Sequence, residues 1–443
     1  RRQRQMCIRD RHKRGIILAN NVFFSKEFAM KLVEGVELHL IKSEKFKMNH
    51  LTFRFSGDFS QKTVARRVLV AQILATANAE YPTAQRFRER LASLYGATLS
   101  TKVSTKGLVH IVDIELAFIK NQFVMTDENL LEEMIDFLYQ NLFSPLVTVE
   151  QYQSKLFNIE QTNLINYLNA DKDDSFYSSE LGLRKLFYED SAFQTSKYGT
   201  AELVATENSY TAFQEFQKML REDRLDIFLL GEFDDYRMLQ LFNRFPFEER
   251  HKDLIFDYQQ EFTNVIRQQF ETKDVNQSVL QLGYHFPIRY QDEEYFTLLV
   301  FNGLFGGFAH SRLFTELREK EGLAYTIGSQ FDIYTGLLNV YAGIDKKNRN
   351  KTLQLINKQF SDIKMGRFSE SLLKQTKKML KVNLKLACDS PRVIIERDYN
   401  HQYLTGDFSV DKMIDKIDNV SKEDVLRFTR KVKLQALYFL EGK

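Results

Sequence analysis

The chain has 443 residues, of which 43% are hydrophobic and 27% charged, as in folded globular proteins with room for two or more domains. No apolar run approaches the roughly 20 residues that a membrane helix needs, so we expect no membrane contact. The first 14 residues hold seven Arg or Lys and one Asp, which leaves 55 basic and 58 acidic residues and a net charge of −3 for the rest. This near-neutral body argues against a nucleic-acid-binding surface.

Residues 1–29 are predicted to be a non-native or disordered tail. They begin with the basic run RRQRQMCIRDR, and Met30 directly precedes the first predicted strand. A targeting peptide is the alternative, but the apolar run GIILANNVFF is short and is interrupted by two Asn residues. Cys7 lies in this tail and leaves Cys388 as the only cysteine of the body. Because no disulfide can then form within the body, we expect a cytoplasmic protein.

In the first half, alternating and helical patterns predict a mixture of strands and helices. The predicted strands are 35–40, 51–57, 97–103, 109–116 and 226–230. The predicted helices are 61–78, 84–94, 127–143 and 150–168, with further helices to about residue 220. Pro82 suits the start of the second of these helices.

In the second half, a glycine-rich stretch is followed by a helical pattern and two strands. Gly303, Gly306 and Gly307 predict a tight turn. Leu313, Phe314 and Leu317 have helical spacing, and Gly322 suits the C′ position that ends a helix. Strands are predicted at 325–331 and 337–344.

The two halves repeat one plan. RFRERLASLYGATLSTKVSTKGLVHIVDIEL parallels LFTELREKEGLAYTIGSQFDIYTGLLNVYAGI, SPLVTVEQYQSKLFNIEQTNLINYL parallels GRFSESLLKQTKKMLKVNLKLACDS, and NSYTAFQEFQKMLREDRLDIFLLGE parallels VSKEDVLRFTRKVKLQALYFLEGK. Three matched segments in one order indicate gene duplication. The sequence therefore predicts two similar α+β domains, at 30–234 and 273–443, joined by a linker at 235–272.

The segment SRLFTELREKEGLAY resembles the S-R-L-F-x-x-L-R-E-x-x-G-L-A-Y signature of insulinase/pitrilysin-type peptidases, the inverzincins. The resemblance covers roughly residues 33–443. It implies an α+β fold of two homologous insulinase-like domains, each a mostly antiparallel sheet packed by helices, which face each other across a chamber.

Active members of that family carry H-x-x-E-H on the first long helix, where two His bind zinc and the Glu acts as general base. A Glu on a later helix is the third ligand. No two of the eight histidines here are four residues apart, and none lies within 51–109. The resemblance assigns these degenerate metal-site positions to Val68, Ala71, Gln72 and Tyr167, the last of them seven residues after a retained Glu160. It therefore implies that the chain holds no metal and no cofactor of its own.

The same resemblance implies that Arg318 and Tyr325 bind the substrate backbone near the scissile bond. A guanidinium and a phenol are hydrogen-bond donors that can meet a developing oxyanion. Considered alone, either residue would be interpreted more simply, Arg318 as a surface helix residue and Tyr325 as a half-buried strand residue.

Together these features imply a catalytically deficient subunit that binds extended peptides by edge-strand addition and completes the active site of an H-x-x-E-H-bearing paralogue, which supplies the zinc. The segments GVELHLIKSEKFKMNHLTFRFSG and LYGA resemble a bacterial zinc-less subfamily associated with the aminopentanol modification of elongation factor P. Two alternatives remain open. One is a non-catalytic scaffold or peptide-binding protein, like the family's core subunits in respiratory complexes. The other is an autonomous peptidase with a metal site built from scattered histidines.

Overall fold

The computed structural model describes residues 28–125, 129–261, 263–275, 277–404 and 409–442. The first half contains a six-stranded sheet with the strand order β1-β2-β6-β3-β5-β4. Its strands are β1 (Phe28–Val33), β2 (Val36–Lys42), β3 (Met48–Asp58), β4 (Thr98–Lys106), β5 (Val109–Ile119) and β6 (Arg224–Gly231). β2 and β6 run parallel, and the other neighbours are antiparallel.

The second half contains a five-stranded sheet with the order β7-β11-β8-β10-β9. Its strands are β7 (Arg267–Thr272), β8 (Ser278–His285), β9 (Ala324–Asp332), β10 (Leu337–Ile344) and β11 (Lys433–Glu441). β7 and β11 run parallel and the remaining pairs are antiparallel. Strand for strand, this sheet repeats β2-β6-β3-β5-β4 of the first half, so the prediction of two homologous α+β domains is confirmed.

Helices cover both sheets. Those of the first half are α1 (Val64–Leu74), α2 (Ala84–Ser93), α3 (Leu130–Phe143), α4 (Ser154–Asp173), α5 (Ser175–Phe187), α6 (Ala201–Ala205), α7 (Ser209–Glu222) and α8 (Asp235–Phe242). Those of the second half are α9 (Glu294–Asn302), α10 (Arg349–Lys364), α11 (Glu370–Ala387), α12 (Pro391–Tyr403), α13 (Val410–Asn419) and α14 (Lys422–Lys431). Short 3-10 turns occupy Asn121–Phe123 and Lys346–Asn348, and wider π-helical turns occupy Gly303–Gly307 and Phe314–Lys320. Within the described ranges, none of the helices combines the length and the apolar character needed to cross a bilayer.

The glycines at 303–307 form helical turns and not the predicted tight turn. A Cβ on Gly303 would lie 2.6 Å from Thr376 Cγ2, and a Cβ on Gly306 would lie 2.7 Å from the backbone N of Ser329. Glycine is needed here because α11 and β9 approach the helix closely, a requirement that a sequence pattern does not separate from a turn. Gly322, with φ of +58°, does end the Phe314–Lys320 helix at C′ as predicted.

Both ends of the first predicted domain differ from the sequence analysis. Phe28 and Ala29 belong to β1 and pair with Leu40 and His39, so the last two residues of the predicted tail are part of the sheet. The rest of that tail, residues 1–27, lies outside the described residues. The predicted linker 235–272 begins with α8 and ends with β7, whose partner β11 is far away in sequence.

The halves exchange one helix each. In the sheet of the first half, even residues of β5 such as Val112 face the α1 side, whereas Val109 and Ile111 face α12, where they pack with Ile394 and Tyr399. This alternation follows from the two-residue period of a strand. A helix of the second half therefore covers the second face of the first sheet.

The reciprocal contact is made by α5. Leu183 and Phe187 of this helix pack with Val279 of β8 and Tyr438 of β11. Gly182 permits the close approach, because a Cβ there would lie 2.3 Å from the Tyr438 ring. At both of these contacts, side chains of the two halves pack directly against each other.

Candidate functional site

Arg318 and Tyr325 lie side by side on the second half. The Phe314–Lys320 helix ends at Gly322, and the chain enters β9 two residues later. This turn brings the Arg318 guanidinium carbon to 5.6 Å from the Tyr325 ring centroid and 4.7 Å from that of Phe314. At such distances a guanidinium is attracted to an aromatic face, so the rings orient the Arg318 side chain.

Both side chains remain available to a ligand. Tyr325 is 79% exposed, so it is not the half-buried strand residue of the simpler interpretation. Among the described residues, the carboxylate that pairs with Arg318 is that of Glu319, at 3.8 Å, which is longer than a hydrogen bond. β9 is also the last strand of its sheet, bonded to β10 on one side. Tyr325 therefore stands on an edge strand, Arg318 lies beside it on the preceding helix, and both side chains are exposed.

A pocket of about 600 Å³ adjoins Tyr325. Its walls come from the turn after the helix, the start of β8 and the turn after β10, and they include Leu323, Gln277, Ser278, Lys346 and Lys347. Sequence reasoning missed this pocket, because three segments far apart in the chain build it and none carries a distinctive motif.

The degenerate metal positions on α1 do not fit a zinc ion. Val68 and Ala71 are 3% and 2% exposed and belong to the hydrophobic core of the first half. Neither has an atom that can bind a metal. Gln72 offers an amide in place of an imidazole, and its Oε1 is buried with no hydrogen-bond partner in the part of the chain that the structure describes.

The helix that supplies the third ligand in active relatives is α4, which packs beside α1. The Thr76 hydroxyl donates to the Glu160 carboxylate at 3.2 Å, and burial raises the pKa of Glu160. Tyr167 replaces the ligand carboxylate, and its ring packs edge-on against Tyr198. Burial raises the pKa of Tyr167 to about 12, so its phenol is a neutral donor at neutral pH. The four degenerate positions thus lie on two neighbouring helices of the first half, whereas Arg318 and Tyr325 lie on the second half.

The described residues contain one group of His, Asp and Glu side chains close enough to share an ion, formed by Glu37, His39 and Asp226. We call it, together with Asp398, the interface charge cluster. His39 Nε2 lies 3.0 Å from an Asp226 oxygen, and His39 Nδ1 lies 3.0 Å from an Asp398 oxygen on α12. Burial by itself lowers the pKa of His39, but the hydrogen bonds to the two carboxylates outweigh it and raise the pKa to about 9.

The interface charge cluster is an ionic contact between the halves and does not fit a metal ion. The Tyr403 hydroxyl donates to both Asp226 oxygens, and Glu37 pairs with Arg224 and accepts from Gln402. These donors already occupy the oxygens that a cation would need. The alternation in V-E-L-H-L places Glu37 and His39 on one face of β2, but no local pattern connects them with Asp398.

Comparisons with known proteins agree with this geometry. The family model described as "Peptidase M16 inactive domain" matches residues 209–380. The chain is 29% identical to "Probable inactive metalloprotease YmfF" of Bacillus subtilis (strain 168), over 92% of this chain and 96% of that protein. It is 23% identical to "Non-peptidase homolog YmxG" of Helicobacter pylori, over 86% and 85% of the two chains.

Solved structures show the same fold. The crystal structure of a conserved protein from Enterococcus faecalis V583 is 35% identical and superposes with a TM-score of 0.91, over 95% of this chain and 99% of that one. That of a peptidase M16 inactive domain from Pseudomonas fluorescens superposes with a TM-score of 0.76 at 14% identity, over 95% and 99% of the two chains. From its signature, its fold and these relatives, the chain belongs to the peptidase M16 family of insulinase-like proteins, as a metalloprotease homologue of the inactive type.

Proposed function

We propose that this chain is the zinc-lacking subunit of a two-subunit peptidase. It presents Arg318 and Tyr325 to an extended peptide, and an H-x-x-E-H-bearing paralogue supplies the zinc and the general base. The observation that carries the proposal is the exposed pair formed by Tyr325 on the edge strand β9 and Arg318 on the preceding helix, in a chain whose zinc positions hold none of the His and Glu ligands.

The chemistry of the pair suits a peptide carbonyl. The guanidinium and the phenol both donate hydrogen bonds, and donors fixed in advance stabilise the charge that develops on a carbonyl oxygen during hydrolysis. An edge strand offers backbone donors and acceptors that hold an extended peptide in register. The second half can therefore bind and polarise a substrate, but it contributes no nucleophile in this proposal.

The way the halves pack supports a second chain as the other wall of the site. Because α5 and α12 fill the contacts between the two halves, those contacts leave no room for a peptide. Arg318 and Tyr325 do not belong to these contacts, and both are exposed. A partner that docks over β9 would enclose the peptide and exclude water.

The test starts with the complex recovered from native cells on a tagged chain, followed by Arg318→Ala and Tyr325→Phe in that complex. We expect kcat for peptide hydrolysis to fall by about 10²- to 10³-fold when an oxyanion donor is lost, with assembly unchanged. Tyr236→Phe is the matched control, since Tyr236 is 70% exposed and lies on α8 of the first half. If kcat is unchanged in all three variants, the pair takes no part in catalysis and the scaffold alternative is favoured.

A further inference from the structure

We infer that the pocket beside Tyr325 binds a carboxylate of the peptide, so that the substrates are peptides with an acidic group next to the residue held by Arg318 and Tyr325. This inference rests on the proposed function. It adds the substrate class, which neither the family nor the relatives' names assign.

The size and position of the pocket suit one peptide side chain or a chain end. Its volume of about 600 Å³ lies within the range of small-molecule and side-chain sites, roughly 300–1,000 Å³. Tyr325 is one of its walls and also touches Arg318. Alternate side chains of an extended strand lie about 7 Å apart on the same face, so a residue close to the one at Tyr325 reaches the pocket.

Gly343 lines the pocket at a position where no side chain fits. A Cβ on Gly343 would lie 2.5 Å from Gln277 Nε2 and 2.8 Å from the ring of Phe176, which belongs to α5 of the first half. Phe176 of the first half therefore lies directly behind the part of the pocket wall that Gly343 forms. The starts of β8 and β9 and the end of β10 form part of the pocket, and the turns after the helix and after β10 complete it.

The charge around the pocket favours an anion. Asp345, which is part of the wall, already pairs with Lys347 at 3.0 Å. Near the same turn Glu321 pairs with Lys351 at 2.7 Å. Lys346 also forms part of the wall, and among the described residues no carboxylate lies within ion-pair distance of it. An exposed ammonium at the wall of a pocket, with the local acids already neutralised, is complementary to a carboxylate.

The polar groups of the wall add hydrogen-bonding capacity. Gln277 and Asn348 carry amide donors, and an amide can supplement an ammonium in binding a carboxylate. The Ser278 hydroxyl accepts from the Gly442 backbone N at 2.9 Å, which leaves its own O–H able to donate, but a neutral hydroxyl, like the amides, does not select for charge. Lys346 is therefore the residue on which the preference for an acidic group should depend most.

The test uses the full chain and three fluorescein-labelled peptides of nine residues with an Ala and Gly background. The first has a central Glu and an amidated C-terminus, the second has Gln in place of Glu, and the third is the Gln peptide with a free C-terminal carboxylate. We expect the Glu peptide, by fluorescence anisotropy, to bind about two- to fivefold more tightly than the amidated Gln peptide, the range of a partly exposed ion pair. Tighter binding of the third peptide instead would identify the chain terminus as the source of the carboxylate.

Lys346→Gln should abolish the tighter binding of the Glu peptide and leave binding of the amidated Gln peptide unchanged. The control is Lys364→Gln, which removes the same charge from an exposed lysine at the far end of α10, about 20 Å along the helix. If wild-type chain binds all three peptides equally, the inference is overturned while the proposed function stands. If none of the peptides binds, or if Arg318→Ala has no effect on their binding, the proposed function fails with it.

Discussion

The interface charge cluster makes the stability of the protein depend on pH in a specific direction. His39→Gln keeps a hydrogen-bonding side chain between Asp226 and Asp398 but removes the group that titrates. His39 is 3% exposed, so solvent screens it little. Its folded pKa of about 9, against 6.5 for a free imidazole, corresponds to about 3 kcal/mol of stability.

The sign follows from which state holds the proton more tightly. Because the folded pKa of His39 is raised, the contribution is fully present below pH 6.5 and is lost as the pH rises from 6.5 to 9. We expect the wild-type protein to exceed His39→Gln in free energy of unfolding at pH 6.0, and this advantage to shrink by about 3 kcal/mol at pH 9.5. Urea unfolding of both proteins at the two pH values measures the change.

The matched control is His401→Gln, which changes an exposed histidine on α12, the helix that carries Asp398. Its stability should follow the wild-type protein at both pH values. If the difference between wild type and His39→Gln stays constant to within 0.5 kcal/mol, a precision typical of such comparisons, His39 is not held as an imidazolium between the halves and the reasoning is refuted.

Three further predictions concern packing and metal. Gly182→Ala should lower the free energy of unfolding by about 1–3 kcal/mol despite the better helix propensity of Ala, because the new Cβ meets the Tyr438 ring. In a double-mutant cycle, Tyr438→Leu should relieve much of that loss. A Gly182→Ala protein as stable as wild type would contradict the described crossing of α5 and β11. Dialysis of the wild-type chain against EDTA should leave its unfolding midpoint unchanged, and a fall of more than about 2 °C would show a structural metal that we do not expect. The family ligands can be restored by the combined substitutions Val68→His, Ala71→Glu, Gln72→His and Tyr167→Glu. This variant should bind about one zinc per chain, measured by elemental analysis. A folded variant without zinc would refute the assignment of these positions.

Local patterns predicted two neighbouring strands of the second sheet. The strand expected at 337–344 is β10 with the same bounds, and that expected at 325–331 is β9, one residue longer at each end. The helix expected at 150–168 begins only at Ser154, because Val149 and Glu150 have positive φ values that no helix accommodates. A propensity pattern does not reveal such a loop.

The sequence could not predict features that depend on distant parts of the chain. β1 and β7 are short edge strands whose pattern is weak, and each is defined by its partner in the sheet. The spacing of seven residues between Arg318 and Tyr325 did not show that their side chains touch, since this depends on the turn at Gly322. The family signature identified the pair, and the structure shows that both residues are exposed.

The exchange of α5 and α12 sets a constraint on how the protein is made. β6 ends at Gly231, but α12, which covers the second face of that sheet, begins at Pro391. At typical rates of translation, α12 is synthesised about 10 to 30 s after β6, and until then the apolar face around Val109, Ile111 and Phe228 stays uncovered. The growing chain therefore exposes a hydrophobic surface during that interval, and ribosome-associated chaperones should bind it there. For the same reason, separating the genes for the two halves would leave each sheet with an unprotected face until the products meet.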